Sequence, residues 1–350
     1  MKFFRCVFAL WAIMAATAHA QVSDTDETNR LACKSVASLV APIADQPAPD
    51  DRIRLAGCSA DTLYHGVSNK PAFIDARLCA FIEIDYEEHG KLLENLDIFG
   101  SVGVLMMVYA NGQGVARNIP LAKRYACELG GASAELEGRL AHLDAIAKRP
   151  KSADTLAICD DITSGYMMGM CAAHGEAAAT LGRDTRWSAL TAKWSPAEIA
   201  ALAQLRAHSK TFFQSRVENE VDFSGSARGA LAIGERNNLE DAFLDSVDAF
   251  ESGKLPKFTV KQLKSADAAL NKSYAAARAA ATVKPGEEDF GPLGTIRPDG
   301  IRTTERNWVK YRDAWVKFGA LKYPKVTAEA WLTWLTRERE KQLRALYEGA

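Results

Sequence analysis

The chain has 350 residues, 48% of them hydrophobic, with 43 lysines and arginines against 44 aspartates and glutamates. That length accommodates about two domains. The near-neutral charge gives no case for nucleic acid, whose binding needs a clustered basic face.

Residues 1–20 carry Lys2 and Arg5, an apolar run from Val7 to Ala16, and the small-x-small site Ala18-His19-Ala20. That is the layout of a secretory signal peptide. The run is about half the length needed to span a bilayer, so cleavage before Gln21 is expected. The exported chain is then periplasmic or secreted, with no membrane insertion and 41 cations against 44 anions.

Export changes how the cysteines read. Cys33, Cys58, Cys79, Cys127, Cys159 and Cys171 form an even set in the first half, which suggests disulfides in an oxidising compartment. Six cysteines permit 15 pairings. Short loops favour Cys58 with Cys79 and Cys159 with Cys171, which leaves Cys33 with Cys127. No pair has the C-x2-C spacing of structural zinc.

The exported chain reads as all-α throughout, because Ala, Leu, Glu, Lys and Arg recur at helical spacing and alternating strand runs do not. Breaks at Pro47-Ala48-Pro49 and Pro150 separate helical groups, which divides it into residues 21–150 and 151–350. In the first, Leu105, Tyr109 and Ala110 end a helix, and Gly112-Gln113-Gly114-Val115 turns the chain. The next helix begins at Asn118. The glycines allow the positive φ such a turn needs, Ala122 lets two helices approach, and Tyr125 fills the following turn. Residues 100–130 resemble one unit of the Sel-type tetratricopeptide-like repeats, and residues 63–80 a degraded second copy. Such units bury their apolar faces by stacking. This resemblance implies a disulfide-clamped repeat domain able to bind a protein partner.

In the second region, a shift of 103 positions places Ala227 on Ala330 and Glu235-Arg236 on Glu338-Arg339. It implies two related helical hairpins, about 195–250 and 301–347. Between them, residues 283–300 hold too many prolines and glycines for a helix. This long loop is the expected protruding contact.

Trp308, Tyr311, Trp315 and Phe318 share one helical face. Trp331, Trp334, Leu335 and Leu346 belong to a second helix after the Tyr323-Pro324 break. Aromatics at this spacing pack as a hairpin core; an exposed aromatic platform for a glycan or partner is the other reading. Arg312, four residues from Trp308, borders the apolar face and needs a partner. Glu338 on the second helix is the natural candidate for a bidentate pair.

Asn271 and Tyr274, then Trp308-x-x-Tyr311-Arg312-Asp313-Ala314, then Thr336-x-x-Arg339 and Leu343, resemble the lysozyme inhibitor LprI-like family over residues 263–346. The resemblance implies an exported helical domain and, for some members, lysozyme inhibition. It supplies a set of structural residues rather than an inhibitory one. The chain departs from the family by having no cysteine after Cys171, so aromatic packing takes the place of a staple.

Other chemistry finds little support. Met167, Met168, Met170, Cys171 and His174 offer soft ligands for cuprous copper, against packing methionines and a Cys159–Cys171 bridge. The exported histidines never pair at i, i+4 as metal helices require. No nucleophile elbow, phosphate loop or singled-out carboxylate couple is present. An exported protein-binding module is expected, not an enzyme, without cofactor or metal. Its partner is a lysozyme by resemblance. The alternatives are an envelope scaffold that binds through the repeat-like domain and, behind it, a copper carrier.

Overall fold

A computed structural model describes residues 25–66, 70–90, 98–149, 155–284, 286 and 290–348. The expected signal peptide lies outside them. Among the described residues the chain is all-helical, with no strand and a single β-bridge between Gly291 and Gly294. It divides into two compact units, residues 1–164 and 165–350.

The first unit begins with α1 (25–36) and a 3-10 turn at Ile43–Asp45. Then come α2 (Pro49–Arg54), α3 (Ala60–His65), α4 (Phe73–Gly90), α5 (Ser101–Asn111), α6 (Ile119–Leu129) and α7 (Ser133–Ala147). From α3 to α7 each helix packs on the next. Helix α5 is the centre. Val104 to Ala110 are all buried, as an all-apolar helix must be.

Gly112 ends α5 at φ 66°, and the Asn118 side chain caps α6 by accepting the Leu121 N–H at 3.1 Å. Gly114, at φ 65°, approaches α4 so closely that a Cβ would lie 2.7 Å from the Ile74 nitrogen. No side chain fits there. Behind the turn Tyr109 stacks on Tyr125 with centroids 5.9 Å apart.

Disulfides join Cys33 to Cys127, tying α1 to α6, and Cys58 to Cys79, tying the chain before α3 to α4. Cys159 and Cys171 are each disulfide-bonded as well.

The second unit contains α8 (Gly165–Thr191), α9 (Pro196–Glu220), α10 (Arg228–Glu251), α11 (Val260–Ala280), α12 (Pro298–Lys322) and α13 (Ala328–Glu348). Two starts carry reciprocal caps, Ser195 with Glu198 for α9 and Thr259 with Gln262 for α11. Each satisfies N–H groups that a helix start leaves open. The extensive pairings are α9 on α12, α11 on α13 and α8 on α10. Residues 195–250 and 301–347 therefore share one core. That core is aromatic: Trp315 and Trp331 are fully buried and stacked at 6.0 Å, with Phe250 edge-on to both at 5.8 and 5.1 Å.

Candidate interaction site

The residues of the C-terminal motif come together in the second unit, on three helices. Asn271 and Tyr274 are on α11, Trp308 to Asp313 on α12, and Glu338, Arg339 and Leu343 on α13. Trp308, Tyr311 and Leu343 are buried, with Tyr311 stacked on Phe212 of α9 at 5.1 Å. Burial pushes the Tyr311 phenol well above its ordinary value. Gly319 sits where a Cβ would meet the Trp331 indole at 2.5 Å, so its bareness lets α12 and α13 close on each other.

Among the described charged residues Arg339 is the most enclosed, with no solvent exposure. Its two terminal nitrogens donate to the Glu220 carboxylate at 2.8 and 2.5 Å, and Nε donates to Glu305 at 2.9 Å. Glu220 ends α9 and Glu305 lies on α12, so one guanidinium from α13 fastens three helices. Arg216 extends the network, 2.7 Å from Glu235 and 3.7 Å from Glu220.

Burial opposes the charge on Arg339, but the attraction and hydrogen bonds of Glu220 outweigh it and hold its pKa above the ordinary value. Burial likewise raises Glu305 and lowers Arg216. The bidentate geometry fits a guanidinium to a carboxylate plane. Glu220 and Arg339 are closed off from water, so the cluster is a clamp and not an acid–base couple.

The expected Arg312–Glu338 pair does not form. Arg312 lies over the Trp308 indole at 5.2 Å and donates to the neighbouring Asp313 from Nε at 3.0 Å and a terminal nitrogen at 2.9 Å. Glu338 accepts from Lys341 at 2.8 Å. Arg312 stays at the rim, where the ring face below and an adjacent carboxylate satisfy it. The cation that reaches the interior is Arg339, and its partners are residues the spacing argument did not single out. One sequence signal was available. Glu220 closes α9, where a carboxylate opposes the helix dipole unless a cation compensates.

Asn271, Tyr274, Arg302, Arg306 and Arg312 line a groove of about 520 Å³ between α11 and α12. Arg278 lies over Tyr274 at 5.6 Å. The motif therefore builds both the clamp and this groove.

In the loop expected to protrude, Lys284, Gly286 and Phe290 are exposed, Phe290 by 55%, whereas residues 291–296 are held down. Residues 285 and 287–289 lie outside the described set. Gly291 and Gly294 exchange backbone hydrogen bonds at 2.9 Å, and Leu293 and Ile296 are buried. Asp222 accepts the Thr295 N–H at 2.9 Å. These contacts pin residues 291–296 to the core.

In the methionine-rich string, Met167 is buried and both cysteines are in disulfides. The copper reading loses its thiolates.

A family model described as Lysozyme inhibitor LprI matches residues 254–343, about a quarter of the chain. The match spans α11, α12 and α13 with their motif residues, and this segment is similar to that family. Among curated proteins and among solved structures nothing matches significantly.

Proposed function

We propose that this is an exported protein-binding module whose second unit inhibits a lysozyme-type muramidase by occluding it, without covalent chemistry. The observation that carries the reading is the coincidence of the family match with one clamped, aromatic-cored scaffold. Disulfides in the first unit fit an oxidising compartment. Among the described residues no helix is long and apolar enough to cross a membrane. A rigid scaffold suits inhibition, because a preorganised surface loses little entropy on binding. The test is lysis of a cell-wall suspension by purified muramidases of several classes, with and without the oxidised chain from residue 21. Submicromolar inhibition of one class supports the proposal, and no inhibition of any class at large excess removes it.

A second reading is an envelope scaffold that binds a partner through the first unit. The Gly112–Gly114 turn and the Tyr109–Tyr125 stack behind it support a Sel-type, repeat-like unit over residues 100–130. Crosslinks from an envelope protein that map to residues 21–164 favour it. Crosslinks confined to the second unit count against it.

A further inference from the structure

The stretch from Ser252 to Ala266, which leads into and begins α11, contains Lys254, Lys257, Lys261 and Lys264 and not one carboxylate. All four lysines are exposed. None is paired with a carboxylate among the described residues, whereas Lys322 and Lys341 of the same unit are. Val260 stands among them, 67% exposed.

This edge is held in place. The Gly253 and Lys254 N–H groups close the end of α10 on the Phe250 and Ala249 carbonyls, both at 2.9 Å. Leu255 packs on the aromatic core. Phe258 lies beneath the Arg337 guanidinium of α13 at 4.7 Å, which adds a fifth cation. Thr259 and Gln262 complete the reciprocal cap of α11. Residues 254–343 as a whole hold 18 lysines and arginines against 10 aspartates and glutamates. The family-matched segment is thus strongly basic within a near-neutral chain.

A rigid edge of unpaired cations complements a concavity lined with carboxylates. Enzymes that hydrolyse glycosidic bonds have that feature at their catalytic centre, where a pair of carboxyl groups flanks the scissile bond. We infer that the Lys254–Lys264 edge is the inhibitory surface, entering the substrate cleft of a muramidase and pairing its lysines with the cleft carboxylates. This rests on the inhibitor reading above and names the surface and the chemistry. Charge complementarity of this kind is local, so it operates even when the enzyme is cationic overall.

The test uses the full oxidised chain from residue 21 with a muramidase it inhibits. Lys254→Glu/Lys257→Glu and, separately, Lys261→Glu/Lys264→Glu are each expected to weaken inhibition at least tenfold. Lys254→Arg/Lys257→Arg keeps it, and Lys272→Glu, farther along α11, leaves it unchanged. Inhibition by the wild type is competitive with an oligosaccharide substrate, and the thermal midpoint of every variant stays near the wild-type value. If wild type inhibits but both reversals inhibit equally well, or inhibition is not competitive, the edge is wrong while the inhibitor reading stands. A wild-type chain that inhibits no muramidase overturns both.

Discussion

Replacing Arg339 with methionine keeps most of the side-chain volume and removes the guanidinium that fastens α9, α12 and α13. Three hydrogen bonds to carboxylates go with it, two to Glu220 and one to Glu305, along with a longer one to Gln342 at 3.4 Å. The Glu220 carboxylate, with no exposure of its own, keeps only the 3.7 Å approach of Arg216 Nε. Removing one member of a buried ion pair costs about 3–5 kcal/mol, because the other charge stays buried without compensation. For a unit of this size each kcal/mol lowers the thermal midpoint by about 2–4 °C, so a fall of about 10 °C is expected.

Urea unfolding followed by tryptophan emission is the assay. From residue 21 onward, the tryptophans are Trp187, Trp194, Trp308, Trp315, Trp331 and Trp334, all in the second unit. The signal therefore reports that unit alone. Adding Glu220→Gln removes the stranded charge, so the double variant is expected to be more stable than Arg339→Met by itself. A loss below about 1 kcal/mol for Arg339→Met, or a double variant that simply sums the single costs, refutes the reasoning.

Further outcomes follow from the same packing. Gly319→Ala forces a methyl into the Trp331 indole at 2.5 Å and is expected to cost about 1–3 kcal/mol in the same assay, as overpacking does. Opening Cys33–Cys127 by serine substitution costs more than opening Cys58–Cys79. Their sequence separations are 94 and 21, for which loop entropy gives about 4–5 against about 3 kcal/mol. The circular-dichroism transition that does not coincide with the tryptophan-reported one follows the first unit and separates the two.

Glu198 accepts from Lys322 at 2.8 Å and from the Ser195 N–H and hydroxyl at 2.7 Å. These bonds, Lys322 first, hold its pKa at about 2 against an ordinary 4.5. The unfolded chain thus takes up this proton first as pH falls. The stability Glu198 contributes is complete above about 4.5 and lost towards about 2. Glu198→Gln is expected to flatten the stability profile in that window, and an unchanged slope contradicts it.

The elements were legible because helices announce themselves locally. Asn118 marks a start, Tyr323-Pro324 an end, and Trp308, Tyr311, Trp315 and Phe318 an inward stripe. Packing between distant helices was not. Arg339 meets Glu220 across 119 residues of chain, and side-chain periodicity says which face turns inward without saying what it meets there. The Arg312–Glu338 expectation failed for a related reason. A residue at the rim of an apolar stripe has a ring face and a sequence neighbour within reach, and both outcompete a partner on another helix. The lysine edge was hidden by averaging. Net charge near zero conceals a 15-residue stretch without a carboxylate. Only the structure shows that stretch to be exposed, anchored and unpaired.

The central claim is that the second unit occludes a muramidase, and the most direct measurement is a titration of enzyme activity at enzyme concentrations well above the dissociation constant. With the oxidised chain from residue 21, activity is expected to fall linearly and to reach its floor at one chain per enzyme. Activity that is unchanged through a tenfold excess, for every muramidase class tried, contradicts the account.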